Sequence, residues 1–399
     1  MTQKPDPAPA GRRWLILALG VLAQASACAF VYGLPFLVPL LRDTLGLSLA
    51  AVGLYVAAPV VGLLLTLVAW GALADRFGER RVMTAGLLSS AVTMSAAALA
   101  PTTDHRLVLV LLALGGASGA SLFAASGRLV MGWFPRHERG VAMGIRQCAQ
   151  PVGVGIAGIS LPGLAERVGA FPALLLPALL CLVMAVLVAL FAADPPRDAG
   201  TLTAAPTRSP YAGPLLWRIH LASALLVLPQ FAISAFSVEY LVREQGFSAT
   251  AAGALVAVVQ IVGAGGRIAI GWWSDRVGSR MRPMRQIAVG AVGVLVAFAL
   301  GDLFVPWLAI AALVVGGVVT VAHNGLGYTA TAEIAGPLWS GRALGVQNTG
   351  QNIVSSITPL ALGAVIGGLG YAAGFLLATA APVVAIAVTP VRQERAPEW

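Results

Sequence analysis

The chain has 399 residues, of which 58% are hydrophobic and only 10% charged, with a formal net charge of +9. So apolar a composition excludes a soluble globular protein, whose surface would not stay dissolved. The positive charge lies in short clusters between apolar runs, a distribution that excludes a nucleic-acid-binding surface.

Apolar runs of about 20 residues predict twelve transmembrane spans. They fall at 14–41, 48–74, 82–100, 106–133, 140–163 and 171–192, then at 216–242, 249–274, 284–302, 306–333, 341–366 and 370–391. A backbone exposed to lipid must satisfy its own hydrogen bonds, so the spans are expected to be helices. Several exceed 25 residues, which implies tilt, kinks or extensions beyond the bilayer. The reading is an all-α integral membrane protein. It comprises a cytoplasmic tail (1–13), an N-terminal six-helix bundle (14–192), a cytoplasmic linker (193–215), a C-terminal six-helix bundle (216–391) and a second cytoplasmic tail (392–399). The first span is long for a signal peptide, and the repeat described below places it opposite span seven, so it is expected to stay.

Eighteen of the 25 basic residues fall on the side that holds both termini, four lie in the opposite loops (Arg42, Arg106, Arg167, Arg243), and Arg128, Arg146 and Arg267 lie within spans. This bias places both termini in the cytoplasm. The bacterial inner membrane is the expected location. Cys28, Cys148 and Cys181 lack metal-ligand spacing and are expected to behave as small apolar residues.

The two halves of the chain repeat each other. Gly71-Ala72-Leu73-Ala74-Asp75-Arg76-Phe77-Gly78-Glu79-Arg80 and Gly271-Trp272-Trp273-Ser274-Asp275-Arg276-Val277-Gly278-Ser279-Arg280 both read G-x-x-x-D-R-x-G-x-R, 200 positions apart. Phe36, Leu41, Gly46, Ser48, Ala51 and Gly53 match Phe236, Leu241, Gly246, Ser248, Ala251 and Gly253 at the same offset. One position further on, Gly140 through Gly144 matches Gly341 through Gly345. The period is too long for a solenoid and fits two homologous halves in parallel orientation.

With six plus six spans, a central linker and the duplicated D-R-x-G-x-R loop, the chain resembles the major facilitator superfamily over essentially its whole length. The resemblance implies two pseudo-symmetric bundles around a central cavity and a transport function. It also implies that the loops belong to a cytoplasmic gate, giving Gly71, Asp75, Arg76, Gly78, Arg80, Gly271, Asp275, Arg276, Gly278 and Arg280 gating roles. The chemistry suits this: Gly71 and Gly271 allow close backbone approach, Gly78 and Gly278 a tight turn, and the aspartates can meet a helix N-terminus or an arginine. Drug–proton antiporters of the superfamily carry an arginine where this chain has Ala113. They also carry a glycine before the proline of a span-five signature, where this chain reads Gln150-Pro151-Val152-Gly153-Val154-Gly155. Both departures disfavour a multidrug exporter.

Ionisable residues inside spans are costly and point to function. Arg267 stands four residues before Gly271, the spacing at which monocarboxylate and oxalate carriers of the superfamily hold a carboxylate-binding arginine. A guanidinium fork grips a planar anion through two hydrogen bonds. Gln260 lies two turns away on the same face. Arg146, in span five, is either a second anion ligand or a gate residue paired with Asp275. Arg128 is expected to snorkel or brace the inner end.

Amides and hydroxyls recur on the spans that line the cavity in the superfamily: Gln24 and Tyr32 in span one, Gln147 and Gln150 in span five, Gln230 in span seven, Asn324 in span ten, and Asn348, Gln351 and Asn352 in span eleven. They orient a polar solute or hold helices together. Acids are missing from mid-membrane, and His323 and Glu239 are the candidates for a proton relay.

The expected function is secondary or facilitative transport of a small anion, an organic acid or inorganic oxyanion, by alternating access, with protons or a counter-anion as coupling partners. The alternative is a proton-coupled exporter of amphipathic compounds. No cofactor, metal site, catalytic constellation or nucleotide-binding loop is expected. The partners are a small-molecule substrate and the lipid bilayer, not nucleic acid, and the chain is expected to be a monomer.

Overall fold

The computed structural model describes residues 10–38, 40–41, 49–101, 104–195 and 209–394. Residues 1–9 of the expected N-terminal tail, 196–208 of the expected linker and 395–399 of the expected C-terminal tail lie outside the described residues. So do Arg42, Gly46 and Ser48.

Among the described residues every regular element is a helix. The α-helices are α1 (Ala10–Val31), α2 (Leu49–Phe77), α3 (Glu79–Leu99), α4 (His105–Trp133), α5 (Arg139–Arg146), α6 (Ala149–Val168) and α7 (Leu175–Phe191). They continue with α8 (Pro214–Arg243), α9 (Ala249–Val277), α10 (Met281–Phe304), α11 (Pro306–Val319), α12 (Asn324–Ala335), α13 (Ser340–Ala378) and α14 (Ala380–Val388). Among the described residues eleven helical stretches are long and apolar enough to cross a membrane. The last, 54 residues from Ser340 to Gln393, contains two crossings, because Gly370 takes φ 85° and breaks the helix. The twelve expected spans are thereby accounted for.

Local chemistry sets the ends. Asp104 caps α4 by accepting from the Leu107 amide at 3.0 Å, and Ser248 caps α9 by accepting from Ala251 at 3.2 Å. Proline opens α8 and α11, where its missing N–H costs nothing. The first span is shorter as an α-helix than its apolar run suggests. It ends at Val31, and Gly33-Leu34-Pro35 turns the chain into a 3-10 helix at Leu34–Leu37.

Span five breaks at Gln147-Cys148, between α5 and α6. Pro151, in the first turn of α6, has no N–H to offer the Gln147 carbonyl four residues earlier. Span ten breaks between α11 and α12, where the His323 ring donates from Nδ1 to the Thr320 carbonyl at 2.8 Å. Since a carbonyl only accepts, Nδ1 carries the proton there.

The chain divides into two compact units. The first contains Met1–Pro135, Cys148–Ala205 and the short segment Leu338–Gly345. Its core joins Cys28, Leu63, Met83, Leu112, Leu122 and Cys181, all fully buried. Cys28 and Cys181 thus act as the expected small apolar residues, while Cys148 is half-buried at the span-five break. The second unit contains Arg136–Gln147, Pro206–Pro337 and Val346–Trp399. In its core Tyr240 meets Phe298 edge-on, with ring centroids 4.8 Å apart, and Phe298 stacks on Phe375 at 3.9 Å. Beside them Asp302 accepts from the Ala372 amide at 2.9 Å, fixing the start of the last span just after Gly370. Apolar side chains point outward on both units: Ile159 is 88% exposed, Leu65 79% and Leu360 77%. Such surfaces belong in hydrocarbon, and the protein is a multi-pass membrane protein.

Candidate functional site

The duplicated loop builds the same device twice. In the first unit Asp75, near the end of α2, accepts from the amides of Gly341 at 2.9 Å and Arg342 at 3.1 Å, in the first turn of α13. In the second, Asp275, near the end of α9, accepts from Gly140 at 2.9 Å and Val141 at 3.0 Å, in the first turn of α5. Each carboxylate therefore satisfies two orphan donors and sits at the positive end of a helix dipole. Glycine meets glycine beneath each contact. A Cβ on Gly71 would overlap the Gly341 carbonyl, and one on Gly271 would overlap that of Gly140. The turns after the aspartates need φ of 92° at Gly78 and 65° at Gly278, which only glycine adopts cheaply.

The cations differ between the copies. Asp75 pairs with Arg128 from α4 and, at 3.5 Å, with Arg342. Arg128 also meets the fully buried Glu79 at 2.6 Å. Asp275 pairs instead with Arg280 of its own loop, which further reaches Glu333 at 3.2 Å and the Arg136 carbonyl at 2.6 Å. Arg139 approaches the same Glu333 at 3.7 Å. Burial works against the Arg280 charge, but Glu333 and Asp275 outweigh it and hold the guanidinium above its ordinary pKa.

The equivalent Arg80 is exposed and turns elsewhere. Its Nε donates to the Ala189 carbonyl at 3.0 Å, and its backbone amide donates to Asp194 at 2.7 Å. Arg76 and Arg276 are exposed and lie over the rings of Phe77 and Trp272. Asp275, for which the sequence offers Arg146 as one partner, pairs with Arg280.

Arg146 lies in a polar cluster inside the second unit. It is 1% exposed, its Nη1 donates to Gln147 Oε1 at 3.1 Å, and its Cζ stands 5.4 Å from the centre of the Tyr328 ring. Arg267, 8% exposed, donates from Nη1 to the Gln147 carbonyl at 2.6 Å. That is the carbonyl Pro151 leaves without a helical donor, so two guanidiniums converge on one residue at the span-five break. Tyr328 Oη lies 2.6 Å from Asn348 Oδ1 and 2.7 Å from Gln351 Oε1. A phenol has one proton, so it donates to one amide oxygen and the other amide turns its nitrogen toward Oη. Asn324 donates to Gln230 at 3.0 Å, and Asn352 donates to the Asn348 carbonyl of its own helix at 2.9 Å. His323 is fully buried.

The structure thus gathers Arg146, Asn348 and Gln351 around Tyr328 and joins Arg267 to Arg146 through Gln147, with Asn324, Gln230 and His323 in the same unit. Within the second unit Gln260 and Glu239 stand outside this cluster. Gln260 is exposed, and Glu239 is exposed in an ion pair with Arg243 at 2.9 Å. Gln24 belongs to the first unit and accepts from Ser126 at 2.8 Å; Tyr32 packs edge-on against Phe123, and Gln150 is half-buried there. Tyr328 was missed by sequence reading, although it stands one turn after Asn324 on the same face. His220, which reads as a residue near a span end, is buried in α8 between Tyr211, 3.0 Å from its Nε2, and Gln347 at Nδ1.

The profile of the Major Facilitator Superfamily matches residues 20–359. The chain belongs to that superfamily of transporters. It is 42% identical over 391 residues to the uncharacterized MFS-type transporter Rv2994 of Mycobacterium tuberculosis, covering 97% of this chain and 87% of that one. It is 28% identical to the probable nitrate/nitrite transporter NarK2 of the same organism over 65% of each chain, and 24% identical to the Bacillus subtilis glycerol-3-phosphate transporter over 60% of each. Its fold superposes on that of the superfamily transporter FucP with a TM-score of 0.72, at 17% identity, covering 96% of this chain and 99% of that one. At that identity the likeness speaks for the fold alone.

Proposed function

We propose that this superfamily member carries a small anion, an organic acid or inorganic oxyanion, across a bacterial inner membrane by alternating access, with both termini in the cytoplasm. The observation that carries the reading is the convergence of Arg146 and Arg267, both buried, on Gln147 at a helix break. Two fixed guanidiniums in a low-dielectric interior favour a negative solute and reject a positive one. Nitrate, nitrite and glycerol-3-phosphate, named in two relatives, are anions of that class.

In this reading Arg267 and Arg146 meet the substrate charge. Tyr328, Asn348 and Gln351 orient its polar atoms, and Asn324 and Gln230 complete the polar surface. The two aspartate–helix contacts release and re-form during the cycle. His323 is the candidate proton carrier should transport prove proton-coupled, since Glu239 is occupied by Arg243 at an exposed position.

The test is counterflow in proteoliposomes with labelled nitrate, glycerol-3-phosphate and a panel of mono- and dicarboxylates. Saturable exchange of one anion, lost in Arg267→Gln, is expected. Movement of cationic dyes or drugs that ignores the substitution, with no anion exchanged, would refute the proposal in favour of an exporter of amphipathic compounds.

A further inference from the structure

Where α8 and α10 begin and α14 ends, the second unit holds a cavity of about 450 Å³. Arg218, Arg285 and Arg392 line it together with Ile386, Thr389 and Val391. Arg218 is fixed in place: its Nε donates to the Val388 carbonyl at 2.9 Å and its Nη1 to Gln393 Oε1 at 2.9 Å. Arg285 and Arg392 are exposed at the rim. Among the described residues no carboxylate lines the cavity or pairs with any of the three. Glu394, next in sequence, is spent on the start of α10. It accepts from the Met281 amide at 3.0 Å and also from the Arg280 amide and the Ser279 hydroxyl. Three like charges facing one cavity repel unless an anion sits between them.

The surroundings say which anion. Trp217 and Leu221 on α8, and Val383 and Val384 on α14, are exposed apolar side chains on the helices that form the cavity wall. A tryptophan beside a cluster of arginines is typical of the level of the lipid headgroups. The basic-residue bias of the sequence assigns this end to the cytoplasmic face, where anionic lipids concentrate and basic pockets between helices hold their phosphates. A soluble phosphate would use the arginines and leave the apolar flank without a role.

We propose that this cavity binds the phosphate headgroup of an anionic phospholipid. Arg218 is the fixed donor, Arg285 and Arg392 close over the phosphate, and the acyl chains run along Trp217, Leu221, Val383 and Val384. The site shares no residue with the Arg146–Arg267 cluster and does not depend on which solute is carried.

The full chain, purified and delipidated in neutral detergent, would be titrated with phosphatidylglycerol and, separately, phosphatidylcholine, and the bound lipid counted by native mass spectrometry. Retention of phosphatidylglycerol over phosphatidylcholine is expected, weakened about thirtyfold in Arg285→Gln/Arg392→Gln. The same positions changed to lysine keep most of the binding, and Arg106→Gln, on the first unit, leaves it unchanged. The glutamine pair keeps Arg218 and its two hydrogen bonds, and matching unfolding temperatures report that it folds. Equal retention of the two lipids, or phosphatidylglycerol binding by the glutamine pair as tight as by the native chain, overturns the proposal. So does full displacement of phosphatidylglycerol by millimolar inorganic phosphate, which would make this a soluble-phosphate site.

Discussion

Arg267 reaches the carbonyl of Gln147 at 2.6 Å because Pro151 has withdrawn the amide that an uninterrupted helix would place there. A kink in span five and a buried charge in span eight are thus two parts of one arrangement. The guanidinium gains a fixed acceptor, and the carbonyl gains a charge-assisted bond in place of a helical one.

Substituting Arg267 by Gln is expected to lower anion exchange at least about tenfold and to destabilise the fold by about 1.5–3 kcal/mol, the worth of a buried charged hydrogen bond. Pro151→Ala returns an amide to the Gln147 carbonyl. In that background the stability cost of Arg267→Gln should shrink by about 1 kcal/mol. Thermal unfolding of the four proteins of the cycle in detergent measures the coupling. Additive costs would mean that the two residues act independently.

Tyr328→Phe removes the hydroxyl and keeps the ring beneath Arg146. The Asn348 and Gln351 amides lose their common partner, at a cost of about 1–3 kcal/mol for buried groups left unmade. Under the anion-carrier reading, the apparent KM for the exchanged anion rises several-fold. Thermal unfolding and counterflow kinetics, run side by side, separate the two effects.

Asp75→Asn and Asp275→Asn each remove one of two carboxylates from a buried arginine, leaving Glu79 beside Arg128 and Glu333 beside Arg280, and weaken two amide contacts. Each is expected to cost about 1.5–3 kcal/mol, the worth of a buried hydrogen bond to a charged group. Their effects should add, because the two clusters share no residue. A double substitution no worse than either single one, by thermal unfolding, would contradict this.

The helix-crossing glycines give a sharper contrast. Gly271→Ala drives a Cβ into the Gly140 carbonyl and should cost about 1–3 kcal/mol, the usual penalty for overpacking. Gly265→Ala lies on the same helix with nothing within 4 Å of the added carbon, and should be neutral or stabilising by up to about 1 kcal/mol. Unfolding temperatures that moved alike would mean that backbone contact at Gly271 does not govern the packing of α5 on α9.

Much of this protein is decided locally, and that part is legible in the sequence. Spans follow from runs of apolar side chains, because hydrocarbon leaves a backbone no partner but itself. The duplicated G-x-x-x-D-R-x-G-x-R loops mark the aspartate caps, because φ near 65–92° and backbone-to-backbone contact both demand glycine wherever they occur. The nature of the partners of Asp75 and Asp275, a helix N-terminus and an arginine, was readable in the same way.

Which arginine serves which aspartate was decided only by the tertiary structure. Arg128 and Arg280 occupy non-equivalent positions in the repeat, and the choice between them depends on how far each helix is rotated about its axis. Periodicity fixes a face, not its neighbour. For the same reason Gln260, on the expected face of α9, emerges exposed, while Tyr328 becomes the centre of the polar cluster. The segment 136–147 packs in the second unit although it belongs by sequence to the first half, through long-range contacts that no local pattern encodes. Composition and glycine placement determined how many helices there are and where they turn; packing determined which buried charges meet.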